Sequence, residues 1–166
     1  MKQSTNTIKN LNLLKNDVKI IFEKLLNECY KRGINAQISE SLRTSERQLE
    51  LYNAGKSKAK EAYKSLHFYG LACDIFVDKN GKYDLSQNEK IWQICKDLKL
   101  DTEYGMTWGG NFKSIIDKPH FELSWGKSWK YFHVERLNEQ KNIAREKTPL
   151  DTILSEWHEL INFYLS

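Results

Sequence analysis

The chain has 166 residues, of which 40% are hydrophobic and 12% aromatic, enough to bury one sizeable core, so we expect a single domain. Its 26 basic and 22 acidic residues leave a formal net charge of +4, which is too small to indicate a nucleic-acid-binding protein, although it suits an anionic polymer as partner. The three cysteines are odd in number and have no C-x-x-C spacing, which argues against a disulfide framework and against a thiolate zinc site.

The N-terminal segment has none of the features of an export signal. Residues 1–19 contain no uninterrupted apolar stretch and no small-residue cleavage site, and no window of the chain approaches the length of a membrane span. We therefore expect a protein that is made in the cytoplasm without a signal peptide and does not insert stably into membranes.

The first predicted elements are a helix, a strand and a second, shorter helix. Apolar residues at helical spacing predict an amphipathic helix over residues 12–32, and a strand is expected over residues 34–42. Ser45, with Gln48 three positions later, is expected to be the N-cap of a short helix that runs to residue 53.

The second half of the chain alternates short strands with one more helix. In order, the sequence predicts a polar, lysine-rich loop over 53–64, a buried strand over 71–77, a tight turn at Asn80-Gly81, an amphipathic helix over 86–99, a glycine- and aromatic-rich loop over 104–114 and a short strand over 120–123. The segment DKNGKYD faintly resembles a calcium loop, but Asn80-Gly81 is first of all a hairpin signal, and the spacing of a complete calcium-binding loop is absent.

Asp74 stands in the middle of the apolar strand predicted over residues 71–77. Alternation along a strand places it on the face opposite Cys73, and a carboxylate there is costly to bury unless a positive partner compensates it. His67 lies just before the strand, and Gly70 gives the turn the freedom to fold the imidazole back towards Asp74. The pair therefore predicts two ligands of a metal site.

A third ligand is expected from the strand in DKPHFEL. Pro119 favours extended backbone here, and alternation sends His120 and Glu122 to one face. Asp117 lies across the proline-containing turn and could reach the same site without being a ligand. A His, Asp, His set leaves a fourth tetrahedral position open for water, which a catalytic zinc site needs and a structural site lacks.

The ten residues from Ser65 to Asp74, S-L-H-F-Y-G-L-A-C-D, resemble the S-x-H-x-x-G-x-A-x-D signature of the LAS-type zinc peptidases. This group includes VanY-like D-alanyl-D-alanine carboxypeptidases and phage L-alanyl-D-glutamate endopeptidases. The resemblance continues through SLRTSERQLELYNAG, WGGNF and DKPHFEL, covers residues 13–125 in the family's order, and implies an α+β Hedgehog/DD-peptidase fold, a small antiparallel sheet with flanking helices. His133 and His158 lie outside it and are expected to be surface or packing residues.

The resemblance implies a role for each matching residue. It implies a Zn²⁺ ion held by three ligands, His67, Asp74 and His120. Asp117 would be the catalytic base and Arg43 would steady the substrate and its oxyanion, with Ser65 and Gln48 as supporting hydrogen-bonding groups. The alternatives are turn chemistry for Asp117 and a simple ion pair, for instance with Glu46, for Arg43.

The function implied is that of a zinc metallopeptidase that degrades the bacterial cell wall. The carboxypeptidase and dipeptidase branches carry glutamate at the base position, whereas Asp117 preceded by WGGNF resembles the endopeptidase branch. We therefore expect a peptidoglycan hydrolase that cleaves the L-Ala–D-Glu bond of the stem peptide, a bacteriolytic phage or prophage endolysin that reaches the wall after release. A D-Ala-D-Ala carboxypeptidase and a zinc-stabilised, non-enzymatic wall-binding module stay open as alternatives.

Two further segments leave alternatives open. The aromatic residues Tyr104, Trp108 and Phe112 either wall the active-site cleft or pack in the core. Residues 1–140 are expected to form the catalytic domain, and residues 141–166 a helical extension with Thr148 as N-cap, whose apolar face either docks on the same domain or contacts a second copy or a partner. A monomer is the expected state.

Overall fold

The computed structural model describes residues 7–113 and 115–143 of a chain that divides into two compact units, residues 1–129 and 130–166. In the described ranges, the first unit combines helices with a five-stranded antiparallel sheet. The predicted α+β class with a small antiparallel sheet is therefore confirmed. None of the helices in these ranges is both long and apolar enough to cross a bilayer.

The second unit is described only at its start, where residues 130–143 are helical. The domain boundary expected at residue 140 stays a prediction. The C-terminal helix expected from Thr148 onwards lies outside the described residues.

The first long helix, α1, spans Asn16–Lys31. It begins later than predicted because Leu11–Leu13 form a separate 3₁₀ turn, in which the Asn10 side chain accepts a hydrogen bond from the backbone of Asn12. The helix buries one apolar stripe against the core, as the spacing predicts, through Val18, Ile21, Phe22, Leu25 and Cys29.

The second helix, α2, spans Ser45–Asn53, but its N-cap is Thr44 and not Ser45 as predicted. Thr44 has extended backbone, and its hydroxyl accepts a hydrogen bond from the backbone N–H of Arg47 at 3.2 Å. Gln48 is fully buried and takes no part in a capping box, because its side chain is hydrogen-bonded elsewhere in the fold.

The sheet consists of β1 (Ala36–Glu40), β2 (Ala72–Lys79), β3 (Lys82–Asp84), β4 (Met106–Trp108) and β5 (His120–Leu123). Its order is β1-β2-β5-β4, and β3 pairs with the far end of β2. Asn80 and Gly81 connect β2 and β3 with φ angles of 55° and 77°, so the predicted hairpin turn is confirmed. β2 thus pairs with three of the other four strands, and β4 is added to the sheet through β5.

Two segments differ from the sequence-based prediction. The helix expected over 86–99 is shorter, α3 (Asn88–Asp97), and is separated from α4 (Leu100–Tyr104) by Lys99, whose φ of 56° interrupts helical backbone. The segment 104–114 was expected to be a loop, yet it contains β4. This short strand forms because it pairs with β5, a long-range contact that the local glycines conceal.

The two faces of the sheet differ in the way that alternation predicts. The inner face carries fully buried residues, Cys73 and Ile75 on β2 and Phe121 and Leu123 on β5. The opposite face carries Asp74 and Phe76 on β2, and His120 and Glu122 on β5. The polar face therefore presents the candidate site residues of both strands side by side.

Candidate metal centre and cleft

His67 lies in the 3₁₀ turn Leu66–Tyr69, just before β2, and is completely buried. Its Nδ1 is 2.8 Å from the carbonyl oxygen of Ser41, which can only accept, so Nδ1 carries a proton and Nε2 is the nitrogen that faces Asp74. Ser41 is held in turn: its N–H donates to the Ile8 carbonyl at 2.7 Å, and its hydroxyl lies 3.1 and 3.0 Å from the carbonyl oxygens of Ile8 and Asn10.

The turn that carries His67 requires glycine at position 70. Gly70 has a φ of +67°, and a Cβ atom there would lie 3.1 Å from both the Leu13 carbonyl oxygen and the Leu14 Cα. Its carbonyl also accepts a hydrogen bond from the Lys15 N–H at 3.2 Å. The glycine therefore lets the turn fold back towards Asp74 while it packs against the segment before α1.

His67, Asp74 and His120 converge on one point. Asp74 and His120 are direct partners in the β2–β5 ladder, and His67 reaches the same place from its turn. His67 Nε2 lies 3.1 Å from Asp74 Oδ1 and 3.1 Å from His120 Nδ1, and the latter two atoms are 3.3 Å apart. Ligands at 2.0–2.1 Å from a tetrahedral zinc ion are separated by about 3.3 Å, so the three donor atoms already have the spacing that zinc needs.

His120 is oriented by a neighbour on its own strand. Its Nε2 donates to Glu122 Oε2 at 2.9 Å, which leaves Nδ1 to face Asp74 and His67. The hydroxyl of Thr107, on β4, donates to the other Glu122 oxygen at 3.2 Å. Alternation placed His120 and Glu122 on one face, but the sequence did not reveal that Glu122 selects the imidazole nitrogen that is left for a metal.

The electrostatics of the site favour positive charge beside Asp74. Burial would raise the pKa of the Asp74 carboxyl, but the charge of His67 and hydrogen bonds with His120 and His67 outweigh it and hold this pKa well below its usual range. Burial would lower the pKa of His120, but its hydrogen bonds to Asp74 and Glu122 raise it to about 10. A metal ion that uses the Nδ1 lone pair must replace a proton there, so metal binding releases protons.

Arg43 lies beside the three candidate ligands, and its side chain is only 11% exposed. Its guanidinium forms an ion pair with Glu40, and Nη1 and Nη2 lie 3.3 Å from Gln48 Oε1 and Asp74 Oδ2 respectively. The pairing with Glu46 considered from the sequence is therefore not formed. Glu40, which is 4% exposed at the end of β1, was missed because the backbone between it and Arg43 is irregular and no regular spacing pairs the two side chains.

Asp117 reaches the same cleft through the turn before β5. Its N–H donates to the Gly109 carbonyl at 2.9 Å, and its carbonyl accepts from the His120 N–H at 3.1 Å. A Cβ atom at Gly109 would lie 2.3 Å from the backbone carbonyl oxygen of Asp117, so glycine is needed for this close approach. Burial, followed by the charge of Asp74, raises the pKa of the Asp117 carboxyl above its usual range.

The cleft extends to both sides of these residues as two cavities. One is about 360 Å³ and is lined by Ser65, His120, Glu122 and Trp129 among others. The other is about 1100 Å³ and is lined by Asp74 and, further out, by lysines such as Lys56, Lys58 and Lys82. Arg43, Asp117 and Phe112 line both cavities and thus mark the middle of the cleft.

The aromatic residues of the 104–114 segment have different roles. Trp108 is a core residue: it stacks with Trp92 and Phe121, and its Nε1 donates to the Lys118 carbonyl at 2.7 Å. Phe112 lines the cleft, with its ring centroid 5.7 Å from that of His120. Tyr104 is the last residue of α4 and is half-buried.

The supporting groups expected from the sequence also lie near the cleft. Ser65 lines the smaller cavity. Gln48 holds Arg43 with its carbonyl oxygen and donates from its amide nitrogen to Ser57 at 2.8 Å. This links the lysine-rich loop to the arginine, which the sequence alone did not indicate.

Comparison with known proteins gives matches that agree with this site. A family model described as D-alanyl-D-alanine carboxypeptidase matches residues 58–123, which include all three candidate ligands and Asp117. An L-alanyl-D-glutamate peptidase of Listeria phage A118 is 29% identical over 126 residues, 73% of this chain and 42% of its own length. The peptidoglycan L-alanyl-D-glutamate endopeptidase CwlK of Bacillus subtilis is 33% identical over 110 residues, 55% of this chain and 62% of its own length.

The chain thus spans less than two thirds of either relative. Among solved structures, the Serratia marcescens L-Ala D-Glu endopeptidase ChiX superposes with a TM-score of 0.59 at 24% identity, over 74% of this chain and 89% of that one. This likeness shows the fold. The family model, the two relatives and the shared fold agree with the resemblance of the sequence to LAS-type zinc peptidases.

Proposed function

We propose that this protein is a zinc-dependent peptidoglycan hydrolase that cleaves the L-Ala–D-Glu bond of the stem peptide, as a phage or prophage endolysin does. The observation that carries the proposal is the triangle of donor atoms from His67, Asp74 and His120, with Asp117 in the same cleft. The names of the phage and Bacillus relatives support the choice of bond.

The residues present fit zinc rather than a harder cation. Two imidazole nitrogens and one carboxylate oxygen form a donor set that suits zinc, whereas magnesium and calcium prefer oxygen ligands. His67, Asp74 and His120 would hold the ion, with Ser41 and Glu122 orienting the two imidazoles. When bound, zinc lowers the pKa of a water molecule towards 7 and polarises a carbonyl group.

Asp117 is positioned to move the protons of the reaction. Its carboxylate takes the proton from the attacking water and delivers it to the nitrogen of the leaving D-glutamyl residue. The raised pKa of Asp117 suits both halves of this exchange, because a carboxylate that holds a proton more readily is a better base and then a usable acid.

Arg43 contributes a permanent positive charge, held in one position, to the site. Glu40 and Gln48 hold the guanidinium, and its contact with Asp74 Oδ2 occupies the carboxylate oxygen that does not face the two histidines. A guanidinium cannot be deprotonated under working conditions, so it also suits the negative charge that develops on the scissile carbonyl oxygen or a carboxylate of the substrate.

A D-Ala-D-Ala carboxypeptidase is the second candidate, because the family model that matches residues 58–123 carries that description. The shape of the cleft argues against it. A carboxypeptidase binds the end of a chain, whereas the cleft continues on both sides of Arg43 and Asp117. Such a cleft suits a bond in the interior of a longer substrate.

Digestion of purified cell-wall sacculi, followed by mass spectrometry of the soluble products, tests the proposal. Cleavage at the proposed bond exposes a new N-terminal D-glutamate, or its amidated form, and releases no free D-alanine. Release of D-alanine alone would assign the protein to the carboxypeptidase branch. Tight binding to sacculi without any new amine would favour the non-enzymatic wall-binding module.

A further inference from the structure

An aromatic strip continues from the metal centre along the polar face of the sheet. Asp74, Phe76 and Asp78 alternate onto this face of β2, and Tyr83 on β3 is the direct ladder partner of Asp78. The rings of Phe76 and Tyr83 meet edge to face with their centroids 3.9 Å apart. Tyr83 is nevertheless 52% exposed, so the pair presents a supported aromatic surface to the solvent.

This surface belongs to the same cavity as the metal ligands. Tyr83, Gly81 and Lys82 line one part of the 1100 Å³ cavity, and Asp74 and Asp117 line another. Phe76 follows Asp74 by two positions, about 6.6 Å along an extended strand. Tyr83 pairs with Asp78, two positions further along, so the backbone of the aromatic pair lies two to four strand positions, about 7 to 13 Å, from that of Asp74.

The chemistry of the substrate requires something bulky at about that distance. In peptidoglycan, the L-alanine of the stem peptide is joined directly to the lactyl group of a muramyl sugar. A bond cut after this alanine is therefore separated from the sugar ring by one residue and a short linker, two residue-sized steps or about 7 Å of chain at roughly 3.5 Å per step. An enzyme that cuts there has the sugar at the edge of its active site.

The unequal cavities match the unequal sides of this bond. One side carries the glycan strand and the other continues as a slim peptide, and the cleft offers about 1100 Å³ on one side of Arg43 and Asp117 against about 360 Å³ on the other. Exposed aromatic rings supply large, rigid contact area with a polar tip, and the apolar C–H face of a sugar ring packs well on such a surface.

We propose that the Tyr83 ring, supported by Phe76, is the binding surface for the muramyl sugar next to the scissile bond. The inference rests on the proposed L-Ala–D-Glu activity and adds to it the direction in which the substrate lies. The glycan strand occupies the larger cavity over β2 and β3, and the peptide beyond D-glutamate leaves through the smaller cavity beside Trp129.

The experiment compares two soluble substrates that share the scissile bond, a disaccharide-peptide and the same peptide without sugar. The wild-type protein should cleave the sugar-bearing substrate with the higher kcat/KM. Tyr83→Ala should lower kcat/KM for that substrate about five- to tenfold, mainly through KM, and change the value for the sugar-free peptide less than twofold. Tyr83→Phe keeps the ring and should retain most of the preference.

Tyr30→Ala is the matched control, because Tyr30 is 80% exposed on α1 and does not line either cavity. Melting temperature and zinc content of each variant show that the hairpin substitution has left the fold intact. Equal losses of kcat/KM on both substrates, or no wild-type preference for the sugar-bearing one, would overturn the sugar site while leaving the proposed function in place. Failure of the wild type to cut either substrate at L-Ala–D-Glu would overturn both.

Discussion

The proposed metal-binding side of the cleft and the Asp117 side are built in opposite ways. On the metal side, the spare nitrogen of each histidine donates to a fixed acceptor, and the spare oxygen of Asp74 contacts Arg43. Asp117 is held through its backbone, and its carboxylate makes no hydrogen bond or ion pair with any residue in the ranges 7–113 and 115–143. Ligands must be fixed in one geometry, whereas a base must stay available to a water molecule and a leaving group.

Loss of a proposed ligand should abolish metal binding and cause the largest loss of activity. We expect His67→Ala to lose stoichiometric zinc, to abolish activity and to lower the melting temperature of the zinc-treated protein, because binding to the native state contributes to stability. Metal analysis and thermal unfolding on the same preparation check this. Wild-type protein stripped with EDTA should behave in the same way and recover with added zinc. Full activity in EDTA would contradict the site assignment.

Substitution of Asp117, the proposed base, should leave the three proposed metal ligands in place. Asp117→Asn keeps the shape of the side chain but removes the carboxylate, so turnover should fall by about two to four orders of magnitude while zinc content and melting temperature stay near the wild-type values. Turnover is measured on zinc-loaded, folded protein. If Asp117 served only the turn, stability would fall by about 1 kcal/mol and turnover per folded molecule would hardly change.

Glu122 orients His120, so its substitution tests how far zinc affinity depends on a fixed imidazole. Glu122→Leu removes the acceptor of the imidazole proton, and zinc affinity should fall by about 10- to 100-fold. Glu122→Gln keeps an acceptor oxygen, so its zinc affinity should fall less than that of the leucine variant. Competition with a chromophoric chelator measures the affinities, and Glu103→Leu, at an exposed glutamate on α4, is the control. Equal affinities for the leucine variant and the wild type would show that His120 does not depend on Glu122.

The smallest change is expected in stability at alkaline pH, from the buried thiol of Cys29 in the core. Burial raises the pKa of the Cys29 thiol from 9.0 to about 11, so between these values the unfolded chain loses a proton that the folded protein keeps. Stability from this group is complete below pH 9 and is lost as pH rises towards 11, by about 1.4 kcal/mol per pH unit at most. Denaturant unfolding of wild type and Cys29→Ala between pH 7 and 11 should show a shallower loss in the variant. Parallel losses would contradict a buried, protonated thiol.

The sequence identified the residues that alternation and the local signature determine. Asp74 and His120 could be placed on one face because the period of a strand is two, and His67 is tied to Asp74 through the short turn at Gly70. The same reasoning could not find Glu40 or Ser41. Glu40 lies only three residues before Arg43, but the backbone between them is irregular, so no helical or strand period predicts that their side chains meet. The acceptor for His67 is a backbone carbonyl that any residue could supply, which leaves no pattern to detect.

The sequence also could not decide which aromatic residues face the cleft. Trp108 and Phe112 lie four positions apart with two glycines between them, and no regular period applies there. Pairing of β4 with β5 places Trp108 in the core between Trp92 and Phe121, and Phe112 then faces His120. The N-cap of α2 was misassigned for a similar reason, because Thr44 and Ser45 are chemically equivalent caps and only backbone geometry separates them.

The hydrogen bonds of Ser41 limit how far this protein can be shortened and where a cargo can be attached to it. The carbonyl that orients His67 belongs to a residue whose own N–H and hydroxyl are tied to Ile8 and Asn10, outside every helix and strand. A fragment that starts at α1 would keep every α-helix and strand in residues 16–113 and 115–143 and all three proposed ligands, and it would still lose the residues that anchor Ser41 and, through it, one imidazole. Fusion junctions are therefore best placed ahead of Ile8.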